Sequence, residues 1–186
     1  MIRNLFLLAA LLTSAFGPGP ESNWARQLRL HGKMNLPVDA IRQAKATSCG
    51  EAAFVMAYNY AYPETKVTET QVIELAAGEG WYTELKFPYT SPADMENIAH
   101  YYADTVSTGS VDEKNEALAF LIETLTGGDP VIIDLLTRLG DPGSGAHYVV
   151  VTGVMHKEGS RCDRESKARP PTEREPISIW DVVLVV

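Results

Sequence analysis

Gln43-Ala-Lys-Ala-Thr-Ser-Cys49-Gly-Glu-Ala-Ala-Phe-Val-Met56 is the stretch from which the rest of the chain can be read. After the cysteine come Ala52, Ala53, Phe54, Val55, Met56, Ala57 and Tyr58, an apolar run that suits a buried helix. That helix should stop before Pro63, because the residue preceding a proline avoids helical geometry. Cys49 is therefore expected at a helix N-terminus, where unpaired backbone N–H groups and the positive end of the helix dipole favour a thiolate over a thiol. The Gln43 amide lies six residues upstream. It can reach the same place as a donor and, with the Cys49 backbone N–H, form an oxyanion hole for acyl transfer. The plainer alternative makes Cys49 a small apolar residue opening a core helix and Gln43 a loop residue.

Downstream, Thr68 and Gln71 have capping-box spacing and Gly78 is placed to end a helix over Thr68 to Ala77. Ser91-Pro92-Ala-Asp94 starts another, expected over Pro92 to Ala103. Ser110-Val-Asp-Glu113 reads as a further capping box. It precedes Leu118, Leu121, Ile122 and Leu125 at helical spacing, up to Gly127-Gly128. Upstream, Trp24 to Leu36 is undecided between strand and packed loop, and His31 within it reads as an exposed structural histidine. The aromatic segment Gly80 to Thr90 reads as a packed, turn-rich loop with no site assigned to it.

Beyond Gly128 the period changes. Pro130 to Leu136, Tyr148 to Val154 and Ile177 to Val186 are rich in β-branched residues and predict three strands. Helices first and strands last predict an α+β fold, with the nucleophile helix packed on a C-terminal antiparallel sheet. His147 opens the second strand directly after the glycine-rich loop Gly140 to Gly145. If the second and third strands pair antiparallel, His147 can meet Asp181 across the ladder, and an acid inside Ile-Trp-Asp-Val-Val needs a partner if it is buried. The outcome is Cys49 as nucleophile, His147 as base, Asp181 as orienter of the imidazole and Gln43 as oxyanion donor.

Gln43-x5-Cys49-Gly50-x-Ala52, with a late His147-Tyr-Val-Val-Val-x-Gly153 and a strand carrying Asp181, resembles the papain-like cysteine peptidases. Within them it is most similar to the double-glycine peptidases that trim bacteriocin leader peptides. The resemblance runs roughly from Leu36 to Val183 and implies a papain-like fold, a peptide or protein substrate, and no cofactor. By it, Gln43, Cys49, His147 and Asp181 match the oxyanion and triad positions. Asp181 is followed by Val182 where that family commonly has proline, and the Cys-Gly-Ser-Cys-Trp signature of papain itself is absent. The same Gln-x5-Cys-Gly pattern also resembles phytochelatin synthase, which implies transfer of the acyl group to an amine such as glutathione. A papain-like domain that only binds is the third possibility.

The 186 residues suit one domain, and an apolar content of 45% suffices for a core without staples. With 16 basic and 24 acidic residues the formal charge is −8, which disfavours a nucleic-acid partner. Arg3, the apolar Leu5 to Phe16 and the small residues around Ser14 to Gly17 read as an export signal over residues 1–20. The domain is then expected over 21–186, periplasmic or secreted, with no stable membrane insertion once the signal is removed. The two cysteines, Cys49 and Cys162, could in principle pair in an exported protein, but Cys162 lies in a charged segment and a free Cys49 is expected. His156, Cys162 and Asp163 lack a fourth ligand, so no metal is expected. Gly127-Gly128 reads as a helix end and not as a cleavage site.

Overall fold

The computed structural model describes residues 5–9, 21–111, 114–136, 146–155 and 182–185. Among them are six strands, β1 (Leu5–Ala9), β2 (Lys33–Asn35), β3 (Ser107–Val111), β4 (Val131–Leu136), β5 (Ala146–Met155) and β6 (Val182–Val185). The five helices are α1 (Asn23–His31), α2 (Cys49–Ala61), α3 (Glu69–Glu79), α4 (Pro92–Tyr102) and α5 (Lys114–Gly127). No helix among the described residues is long and apolar enough to cross a membrane. The arrangement is α+β, as the sequence implies.

The local signals explain α3 and α4. Thr68 and Gln71 form the reciprocal capping box of α3, Ser91 and Asp94 that of α4, and Pro92 takes the first helical position. Three readings resolve differently from the expectation. Trp24 to Leu36, undecided from sequence between strand and packed loop, is mostly helix α1, capped by Ser22 and ended by Gly32 at φ 66°, followed by β2. Gly80, at φ 78°, ends α3 in the left-handed region, so Gly78 lies inside the helix. Ser110, expected to cap α5, belongs to β3, because its backbone is used in pairing with Phe6 of β1.

The strand order is β2-β5-β4-β1-β3, with β6 also paired to β5. The sheet thus draws strands from the N-terminal half as well, including β1 from the stretch expected to be an export signal. β5 is its organiser. β4 pairs along its first half, from Leu136 opposite Ala146 to Val131 opposite Val151, and β2 takes over at Gly153 to Met155. β6 runs antiparallel to β5 with Val182 opposite Val154 and Val185 opposite Val150. Since β4 and β6 both pair with Val150 and Val151, they occupy opposite edges of β5.

Alternation along β4 and β5 sends successive side chains to opposite faces and so gives two cores. On one face Ile132 and Val150 pack with Phe54, Val55 and Tyr58 of α2, Val72 and Ile73 of α3, and Met95 and Ile98 of α4. On the other, Val131, Ile133, Val149 and Val151 pack with Leu121 and Leu125 of α5, and Trp24 and Leu28 of α1 close over them.

Candidate active site

The site begins in the loop that leads into α2. Ser48 holds the N-cap position of α2 but makes no side-chain cap. Its hydroxyl lies 2.6 Å from Glu69 Oε1 and 3.0 Å from the Lys45 carbonyl oxygen. One proton cannot serve both, and the shorter bond to a carboxylate takes it. The hydroxyl oxygen in turn accepts the Lys45 N–H at 3.1 Å. Ser48 therefore gives the first N–H groups of α2 no cap, and the Gly50 N–H among them is directed at the Cys49 sulfur.

Cys49 is the first residue of α2, half-buried and a free thiol. Burial pushes its pKa above the ordinary thiol range, and the Glu51 and Asp134 carboxylates push the same way. The backbone N–H groups of Tyr148 and Gly50, directed at the sulfur, oppose the rise without cancelling it. The expectation of a resting thiolate is corrected here: loss of hydration outweighs the helix terminus, and two acids share the pocket.

Tyr148 lies against the start of α2. Its ring lies so close to Gly50 that a Cβ built there would stand 3.2 Å from Cδ2, and its hydroxyl donates to the Thr90 carbonyl at 3.4 Å. Burial first, then the charges of Asp134, Cys49 and Glu51, hold its phenol far above the usual range. Asp134, the cross-strand partner of Tyr148, lies on the same face; one of its oxygens is buried without a partner, and burial raises its pKa to about 6. Fully buried Glu51 accepts from the Thr90 hydroxyl through Oε1, while Oε2 is unpartnered. Its pKa is raised, again chiefly by burial.

His147 adjoins Tyr148 and pairs with Leu135. Leu135 packs into the core under α5, so strand alternation assigns His147 to that face and Tyr148 to the face of Cys49. No hydrogen bond among the described residues joins the His147 ring to Cys49. The Gln43 side chain donates to the Lys45 carbonyl at 2.7 Å, which leaves its second amide hydrogen uncommitted. Asp181, and likewise His156, Cys162 and Asp163, lie outside the described residues. The expected antiparallel pairing of the last two strands is present, and Val182 pairs with Val154, at the end of β5 remote from His147. Among the described residues no three potential metal ligands cluster.

Sequence reading singled out Cys49, Gln43 and His147 but gave no role to Glu69, Glu51 or Tyr148. Glu69 had one readable signal, its place at the first turn of a capped helix, where an anion is favoured. Glu51 is an acid within an otherwise apolar buried run, the same anomaly that drew notice to Asp181.

No curated protein and no solved structure matches the chain. A family model, the Peptidase_C39 like family, matches residues 35–161, a span that holds Gln43, Cys49, Glu69, Asp134 and His147 and ends before Asp181. With a helix-borne free cysteine packed on an antiparallel sheet in the papain-like manner, the chain belongs to the Peptidase_C39-like family of cysteine peptidases.

Proposed function

We propose that the protein hydrolyses peptide bonds by acylation of Cys49, with His147 as proton carrier and Gln43 as oxyanion donor. The observation that carries this reading is the setting of Cys49: first in its helix, with the N–H groups of Gly50 and of Tyr148, at the start of β5, directed at its sulfur. Because the resting sulfur is a thiol, its proton must leave as attack proceeds, which calls for a general base and not a preformed ion pair. His147 is taken from the family resemblance, and its place in β5 sets it one residue from the Cys49 face. The Tyr148 N–H already faces the sulfur, and one residue of strand is a rise of only about 3.3 Å. The ring has to turn around the end of β5 to reach it.

In the proposed cycle the sulfur bonds to the scissile carbonyl carbon while His147 takes the thiol proton. The oxyanion forms against the Cys49 N–H and the free Gln43 amide hydrogen. Collapse breaks the C–N bond, His147 returns the proton to the departing amine, and water then cleaves the thioester by the same route in reverse.

Family resemblance gives the third place of the triad to Asp181. The sheet supplies a second candidate, because an imidazole turned toward Cys49 enters the face on which Asp134 keeps an unpartnered oxygen. If Asp181 orients the ring, Asp181→Ala should cost most of the turnover and Asp181→Asn much less. If Asp134 does, that pattern should follow Asp134 instead.

Cleavage after paired glycines is supported by resemblance alone and sets the first substrate to try. A peptide with an internal Gly-Gly, beside the same peptide with Ala-Ala, would be incubated with the protein and its fragments weighed. Wild type should cut the first at the carbonyl of the second glycine, and Cys49→Ala should cut neither. Cutting that survives in Cys49→Ala would refute the assignment.

A further inference from the structure

We infer that Glu69 is a positioning residue that sets the separation between the oxyanion donor and the nucleophile. The inference rests on the peptidase reading above and extends it to a residue on another helix. Glu69 is the first residue of α3, twenty residues beyond Cys49, and is buried. Its carboxylate grips the nucleophile loop at both ends. The Ala44 N–H, in the peptide directly after Gln43, donates to both oxygens at 3.0 and 2.9 Å. The hydroxyl of Ser48, the residue before Cys49, donates to Oε1 at 2.6 Å.

One rigid group thus fixes the peptide plane that leaves Gln43 and the residue that enters Cys49. Between these ends the loop is closed on the Lys45 carbonyl, which accepts both the Gln43 amide at 2.7 Å and the Ser48 N–H at 3.3 Å. The Gln43 side chain is therefore aimed by the loop whose two ends Glu69 holds. The N-terminus of α3 suits a carboxylate there, since its dipole stabilises the charge. An acid that only started a helix would need neither burial nor three bonds to a loop so far upstream in sequence.

The test compares two reactions of one sulfur. Acylation by acetyl-glycylglycine p-nitrophenyl ester passes through an oxyanion; alkylation by iodoacetamide displaces iodide and makes none. Glu69→Gln keeps the shape and loses the charge that both donors seek. It should slow acylation by about tenfold or more, in line with the cost of a sub-ångström to ångström misplacement of a catalytic group. Alkylation should stay within about twofold, because it does not use Gln43. In a Gln43→Ala background the same substitution should have almost no further effect on acylation, as expected when two residues act through one interaction. Ser48→Ala, which removes one grip and keeps the other, should give a smaller loss of the same kind, and it serves if far-UV circular dichroism shows Glu69→Gln to be unfolded. Glu69→Gln with full acylation, an equal loss of acylation and alkylation, or an undiminished loss in the Gln43→Ala background would each overturn the role of Glu69. A wild-type protein that alkylates but never acylates would instead overturn the peptidase reading, and this inference with it.

Discussion

Asp134 adds a negative charge to the surroundings of the buried Cys49 thiol, and that influence makes the site's pH behaviour predictable. The thiol is raised by burial and by nearby negative charge, so its alkylation should climb steeply on the alkaline side of the ordinary thiol value and be slow at pH 6. Asp134→Asn removes one of those charges and should bring the alkylation profile to lower pH, with a faster rate at pH 7; an unchanged or slower rate would remove that influence. The same carboxyl leaves a mark on stability. Its pKa is about 6 folded against 3.8 for the free group, so between these values the folded protein holds a proton that the unfolded chain has released. Stability contributed by this group therefore falls as pH rises from about 4 to about 6, and the penalty is complete above that, on the order of 2 kcal/mol once partial exposure is allowed for. Asp134→Asn should raise the denaturation midpoint at pH 7.5 and leave it nearly unaltered at pH 4; equal changes at both would tie the effect to packing and not to charge.

Three elements meet at Gly50 and two at Gly153, and both contacts depend on the absence of a side chain. A Cβ on Gly50 would stand 2.8 Å from Met95 Sδ and 3.2 Å from the Tyr148 ring, and Met95 is buried with little room to yield. Gly50→Ala should cost about 1–3 kcal/mol in urea unfolding and push α2 off β5. Gly153→Ala would overlap the Met34 carbonyl oxygen and should break the β2–β5 pairing, at a larger cost in the same measurement. The glycines of α3 separate more finely. Gly78 is a helix-interior position with open space around its Cβ direction, so Gly78→Ala should stabilise by about 0.5–1 kcal/mol, whereas Gly80→Ala forces a side chain into the left-handed region and should destabilise by about 1 kcal/mol. This pair also shows what was legible in advance. Start signals work through neighbours three residues apart, so Thr68 with Gln71 and Ser91 with Asp94 could be read directly. Which of two nearby glycines ends a helix depends on where the chain must turn next, and Ser110 lost its capping role to a strand partner more than a hundred residues away. Long-range pairing of this kind leaves no mark in a local window.

At the scale of the whole molecule, the site joins a loop, two helix starts and two strands. The part carried by one continuous stretch, Gln43 to Cys49, was legible because its residues are local to each other. Glu69 from α3 and Tyr148 from β5 enter only through tertiary packing, and the face that Tyr148 takes is shared with its β4 partner Asp134 through a register that no window of sequence states. The α+β class was readable from the order of patterns, but the sheet was larger than the C-terminal strands suggested, since β1 and β2 join it from the N-terminal half and β3 from between two helices. The central claim, that this assembly makes Cys49 an acyl acceptor, is tested most directly by the mass of the intact protein. After mixing with acetyl-glycylglycine p-nitrophenyl ester and quenching in acid, the wild type should gain the mass of one acetyl-glycylglycyl group on Cys49. Cys49→Ala should gain none, and His147→Ala should acquire the adduct far more slowly. An adduct on another residue, an equal gain in Cys49→Ala, or a wild-type protein that stays at its native mass would contradict the account.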